Sequence, residues 1–209
     1  MNTMRILTTA AFAAAIAVTS VWAQQPQTQR VRGTIDKIEG NTLYLKAPAG
    51  GAPITLKLTD NAVVVGVLKG TVADIKEGSY IGSGAMPQPD GTQKAVEVHI
   101  FAESQRGTGD GHRGNWDGTP YGAGIGTMTN GAAGQAVSSV DGPVITVKYK
   151  DGEKKIIVGP NVPIVRYEVG DKSELKPGAA VSVVAATKNP DGTFSAARVN
   201  VGREGVVPM

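Results

Sequence analysis

Two stretches of this chain copy one another, and any fold it adopts must hold both. Ile35-Asp36-Lys37-Ile38-Glu39-Gly40 matches Val137-Ser138-Ser139-Val140-Asp141-Gly142, and Leu43-Tyr44-Leu45-Lys46 matches Ile145-Thr146-Val147-Lys148. Asn61-Ala62-Val63-Val64-Val65 answers Asn161-Val162-Pro163-Ile164-Val165, and Asp74-Ile75-Lys76-Glu77-Gly78 answers Glu174-Leu175-Lys176-Pro177-Gly178. Pro89-Asp90-Gly91-Thr92 recurs as Pro190-Asp191-Gly192-Thr193. The offset stays between 100 and 102 residues, so small loop changes absorb it and duplication is the governing constraint. The copies run over 31–102 and 134–202, with the segment 103–133 between them and a short tail, 203–209, after.

Each copy reads as short strands. Leu43 and Leu45 alternate with polar neighbours, as do Ile54, Leu56 and Leu58, which gives one buried face and one wet face. Ile145 to Lys150 and Lys154 to Val158 form a hairpin reversed at Asp151-Gly152. One helical turn per copy is predicted, at Val72 to Lys76 and at Ser173 to Lys176, with Ser173 as N-cap and Gly78 and Gly178 closing the turns. A further strand, an Asp-Gly turn and a last strand follow in each. This order predicts an all-β chain of two tandem small barrels, OB-like, each with one short helical turn. A pair of β-sandwiches of similar size is the alternative.

Ahead of the first copy stands a leader. Arg5 supplies a positive n-region, Ala10 to Val18 an apolar h-region, and Val21-Trp22-Ala23 small residues at the −3 and −1 positions. The apolar run is shorter than the ~20 residues a spanning helix needs, so cleavage after Ala23 is expected. No cysteine occurs anywhere, which excludes lipid attachment at a lipobox, a disulfide framework and thiolate chemistry. Residues 24–30 read as a disordered mature N-terminus. The protein is therefore expected in the periplasm or outside the cell. The formal net charge is only +3, of which the leader's Arg5 supplies one, and this balance gives no argument for a polyanionic partner.

The segment 103–133 has a glycine every two to four residues over most of its length and almost no hydrophobic period, yet it carries Trp116, Tyr121, Ile125 and Met128. A loop of that length is either a tether or a packed functional element. Its large apolar side chains argue for packing, with Trp116 and Tyr121 as anchors against the barrels. Trp116, Tyr121 and Arg113, with the hairpin residues Lys148 and Lys150, are the candidate ligand-binding set. His112, Asp110 and Asp117, with His99, are candidate ligands for a divalent metal. The glycine runs carry neither a dinucleotide fingerprint nor a Walker lysine, so no nucleotide cofactor is expected. The lysines around Asp151-Gly152 suit a solvated hairpin whose charges blunt an exposed edge, with anionic lipid headgroups as a further partner and nucleic acid set aside by export. No nucleophile and base stand at a recognisable spacing, and a non-catalytic protein is expected.

Gly-x-Ile-x-x-Ile-x-Gly at 33–40, a Leu-x-x-Gly before a strand, and Asp-Gly-Thr-x-x-Ala-x-x-Val resemble an uncharacterised bacterial family of exported β-rich domains. Two-copy members carry a spacer that His112-Arg113-x-x-Trp116-Asp117 and Met128-Thr129-Asn130-Gly131 look like. The resemblance covers nearly all of the chain after the leader and implies a fold, since its motifs are structural glycines and core aliphatics. Some relatives carry a metal-transport label, but no segment after the leader is long and apolar enough for a permease. The expected function is a binding or structural role in the cell envelope. A divalent-metal accessory protein using the central loop is one alternative, and binding of anionic lipid or oligosaccharide by the barrel faces is another.

Overall fold

A computed structural model describes residues 28–116 and 126–208. The leader, the residues before Thr28, and the candidates Asp117 and Tyr121 lie outside the described residues. Twelve strands are described: β1 (Thr28–Glu39), β2 (Thr42–Lys46), β3 (Ile54–Lys69), β4 (Tyr80–Pro87), β5 (Gln93–Ile100), β6 (Gly111–Trp116), β7 (Gly126–Val137), β8 (Val144–Tyr149), β9 (Gly152–Ile157), β10 (Ile164–Val169), β11 (Ala180–Lys188) and β12 (Phe194–Gly202). Among the described residues no helix is long and apolar enough to cross a membrane.

The strands close a barrel in the order β1-β2-β3-β12-β11 and back to β1. All its pairings are antiparallel except β3 with β12, which run parallel from Phe194↔Leu56 to Gly202↔Val67. A second ring follows the same pattern: β7-β8-β9-β5-β4 and back to β7, with β9 and β5 parallel through Gln93↔Ile156 and Lys94↔Ile157. The rings are closed sheets, not the stacked sheets of a sandwich.

Neither ring follows one half of the sequence. The first takes three strands from the first copy and its last two from the second; the other ring does the reverse. The expected division into one barrel at 31–102 and one at 134–202 is therefore corrected. The cores record the same exchange: Ile35, Leu43, Leu45 and Leu56 pack with Val181, Val183, Val199 and Val201, while Ile145, Val147 and Ile156 pack with Ile81, Val98 and Ile100. The chain crosses between rings on the second part of β3 and on β10, which pair antiparallel from Lys69↔Val165 to Val65↔Val169. At the two ends of this crossing Gly70 N–H donates to Ile164 O (2.8 Å) and Gly170 N–H to Val64 O (3.0 Å), a matched pair of bonds.

The duplication also has a different register from the one read in the sequence. Ile35 faces Leu45 across β1–β2, and Ala133 faces Val147 across β7–β8. Ala133, not Val137, is therefore the counterpart of Ile35. Gly33 and Gly131 then coincide, for a physical reason. A Cβ at Gly33 would meet Lys46 O at 2.7 Å, and one at Gly131 would collide with Lys148 O, so both positions demand glycine. Val137 and Val140, aligned with Ile35 and Ile38 in the sequence, are instead 65% and 103% exposed, Val137 at the end of β7 and Val140 in an enlarged β7–β8 connection.

Smaller differences have equally local causes. The helical turns are single 3-10 turns, Val72–Asp74 and Lys172–Glu174. Asp171, not Ser173, caps the second: its carboxylate accepts from Ser173 N–H (2.8 Å), while Glu174 accepts from Asp171 N–H (2.8 Å). The hairpin reverses at Lys150-Asp151, since Tyr149 pairs with Gly152, and Asp110 Oδ1 accepts the Lys150 N–H at 2.8 Å. Thr28 to Arg30, read as disordered tail, belong to β1, where Thr28 pairs with Thr187. Residues 126–133, read as spacer, belong to β7, and 127–132 of them pair with β4.

Candidate functional site

The exchange of hairpins leaves a cleft between the two rings, with a volume of about 550 Å³. His99 of β5, Phe101, Gln105, Trp116 of β6 and Met128 and Asn130 of β7 line one side. Arg30 of β1, Val183, Val184 and Ala185 of β11, and Arg198 of β12 line the other, and Tyr167 of β10 completes it. Strands from both copies therefore build one concavity.

An aromatic cluster forms part of its wall. Tyr167 meets His99 at a ring separation of 5.3 Å and Phe101 edge-on at 5.4 Å, and Phe101 continues to Tyr80 at 5.6 Å. The order follows from pairing: β10 runs parallel to β5, with Arg166 opposite Ile100, so Tyr167 projects beside the end of β5. The Arg106 guanidinium covers the Tyr80 ring at 5.8 Å.

Behind the aromatics lie buried polar groups. Glu97 is almost fully buried, and its Oε1 lies 3.3 Å from His99 Nε2, without hydrogen-bond geometry. His99 Nδ1 lies 3.4 Å from the Tyr167 hydroxyl. Burial, and then the negative charge of Glu97, push the Tyr167 phenol above its ordinary range, so it stays a neutral hydroxyl. Burial and the neighbouring Arg30 cation lower the Arg32 pKa, while Glu97 opposes them.

Trp116 is the one member of the expected ligand-binding set that lines this cleft among the described residues. Its indole packs against Gly84 of β4, where a Cβ would collide with the ring. Arg113 instead turns back, donating Nη2–H to Gly109 O at 2.7 Å. Lys148 and Lys150 are exposed on the β8–β9 hairpin.

The described candidate metal ligands are each engaged in other contacts. Asp110 holds two structural bonds, accepting from the Tyr80 hydroxyl (3.2 Å) and from Lys150 N–H. Burial and the Asp110 carboxylate raise the Tyr80 phenol pKa to about 12. His112 Nδ1 bonds Thr129 Oγ1 at 2.8 Å, its ring stacks on Tyr149, and burial lowers its pKa, with Lys154 adding to the effect. His99 belongs to the cleft. Among the described residues no three His, Cys, Asp or Glu side chains gather as a metal site would require.

Arg30, Tyr167, Val184 and Arg198 were missed by sequence reasoning because they meet only through the exchange of hairpins, and His99 was singled out there for a metal rather than for this cleft. The one available signal was Arg198, a cation set among the alanines and valines of β12. The chain matches no known family model, and no curated protein or solved structure is significantly similar to it.

Proposed function

We propose that this chain is an exported, non-catalytic binding protein of two OB-like barrels that exchange their last hairpins and bind a small ligand between them. The strand order within each ring, one-two-three-five-four with strands three and five parallel and a helical turn before strand four, supports the OB-like reading. The leader at 1–23 supports export.

One observation carries the binding role. The cleft joins both rings, has a volume within the usual ~300–1,000 Å³ of small-molecule sites, and combines aromatic and aliphatic walls with a few polar groups. The neutral naphthalene dye N-phenyl-1-naphthylamine tests it, with energy transfer from Trp116 as the readout. Saturable transfer that is lost in Ala185→Phe, which fills the cleft from an exposed strand position, is the expected result. Absence of saturable transfer overturns the reading.

A further inference from the structure

We propose that the cleft selects an amphipathic anion: a small molecule with a flat or extended apolar body and one carboxylate or similar acidic head. This rests on the cleft being the binding site. The strand registers carry the argument. Val31 pairs with Val183 across β1–β11, and Ser182 with Asn200 across β11–β12. Arg30 and Arg198 therefore flank the Val184–Ala185 stretch of β11 from its two neighbouring strands. Val184 is 57% exposed and faces the same cleft, so an uncovered apolar strip runs between two guanidinium groups.

Charge points the same way. The described residues lining the cleft include two arginines and no carboxylate. Neither arginine has an ion pair or side-chain hydrogen bond among the described residues, whereas Arg106 and Arg203 are both paired with glutamates. Arg30 also lies close enough to Arg32 to disfavour its charge, a repulsion that a bound anion would relieve. Glu97, the nearest buried acid, is turned toward His99 behind the cleft wall and does not line it. Opposite the arginines, Trp116, Phe101 and Met128 provide the surface for an apolar body. A guanidinium fork matches a carboxylate in shape as well as charge.

The test compares 8-anilinonaphthalene-1-sulfonate, which is anionic, with the neutral N-phenyl-1-naphthylamine, both read by energy transfer from Trp116. We expect the anionic dye to bind about tenfold more tightly at low salt, with the advantage shrinking as salt rises. Arg30→Gln with Arg198→Gln should abolish the preference, lowering the anionic dye's affinity to that of the neutral dye. Arg113→Gln with Lys148→Gln removes the same charge outside the cleft and should leave the preference intact. Equal affinity for the two dyes overturns anion selection while the binding cleft stands, as does a preference that survives the cleft substitutions or falls equally with the control pair. Failure of both dyes to bind overturns the cleft itself.

Discussion

The Arg203 guanidinium donates Nε–H and Nη2–H to the two oxygens of Glu174 (2.7 and 2.8 Å), Nη1–H to Glu168 (2.9 Å) and Nη2–H to Val169 O (3.0 Å). It lies against Gly66, where a Cβ would collide with the guanidinium, so a residue of the C-terminal tail ties β3, β10 and the Lys172–Glu174 turn together. Arg203→Ala should cost about 2 kcal/mol, the scale of charge-assisted bonds that stay partly wet, measured by chemical denaturation at neutral pH. The bond to Arg203 holds the Glu174 pKa below its ordinary value. A depressed carboxylate stabilises the fold fully above its unfolded value of about 4.3, and that contribution fades as pH falls through the folded value. The stability gap between the parent and Arg203→Ala should therefore narrow below about pH 4; a gap independent of pH would mean that Glu174 is not the partner that matters. Gly84 gives a second local test. In protein lacking residues 1–23, Trp116 is the only tryptophan. Gly84→Ala should push its indole outward, red-shifting emission, increasing acrylamide quenching and costing roughly 1–3 kcal/mol by overpacking.

Strands β1 and β7 show how the same element tolerates different side chains once a close backbone approach is fixed. Both carry a glycine, Gly33 or Gly131, pressed against the backbone carbonyl of an equivalent lysine. Ile35 fills the first core; Ala133 fills the matching place in the second and leaves space to Ile145, Val147 and Ile156. Val137→Asp and Val140→Asp should change stability by no more than about 0.5 kcal/mol, whereas Ile35→Asp should cost several kcal/mol, as an unpaired carboxylate in a dry core does. Denaturant midpoints of the three variants check this, and a large loss at Val137 would restore the register read from sequence. The strands themselves were legible, because period-two alternation and Asp-Gly turns depend on local chemistry alone. The register failed where a short insertion in the β7–β8 connection happened to place valines at the expected spacing. Trp116 was legible as an anchor, since a tryptophan among glycines has few other uses. Arg30, Tyr167 and Arg198 were not, because partners some 70 to 170 residues apart in sequence leave no local pattern.

At the scale of the molecule, the exchange of hairpins makes the two copies mutually dependent. β11 and β12 close the first ring, and β4 and β5 close the second, through pairings that all cross between sequence halves except those within each hairpin. A half taken alone would present open strand edges and half a core, with no way to bury either unless its own hairpin turned back. Unfolding should accordingly be a single cooperative transition, with both cores lost together. A protease site inserted between residues 117 and 125 tests this dependence directly, since in the sequence it divides β1–β6 from β7–β12. After cleavage, 28–116 and 126–208 should stay together through size-exclusion chromatography and melt as one unit, separating only in denaturant. The same two fragments expressed apart should aggregate or remain unfolded, and should regain β-sheet circular dichroism and Trp116 emission when mixed. Fragments that separate on cleavage, each keeping its own sheet signal, would mean that each copy closes its own barrel, and a cleft built from both would lose its basis.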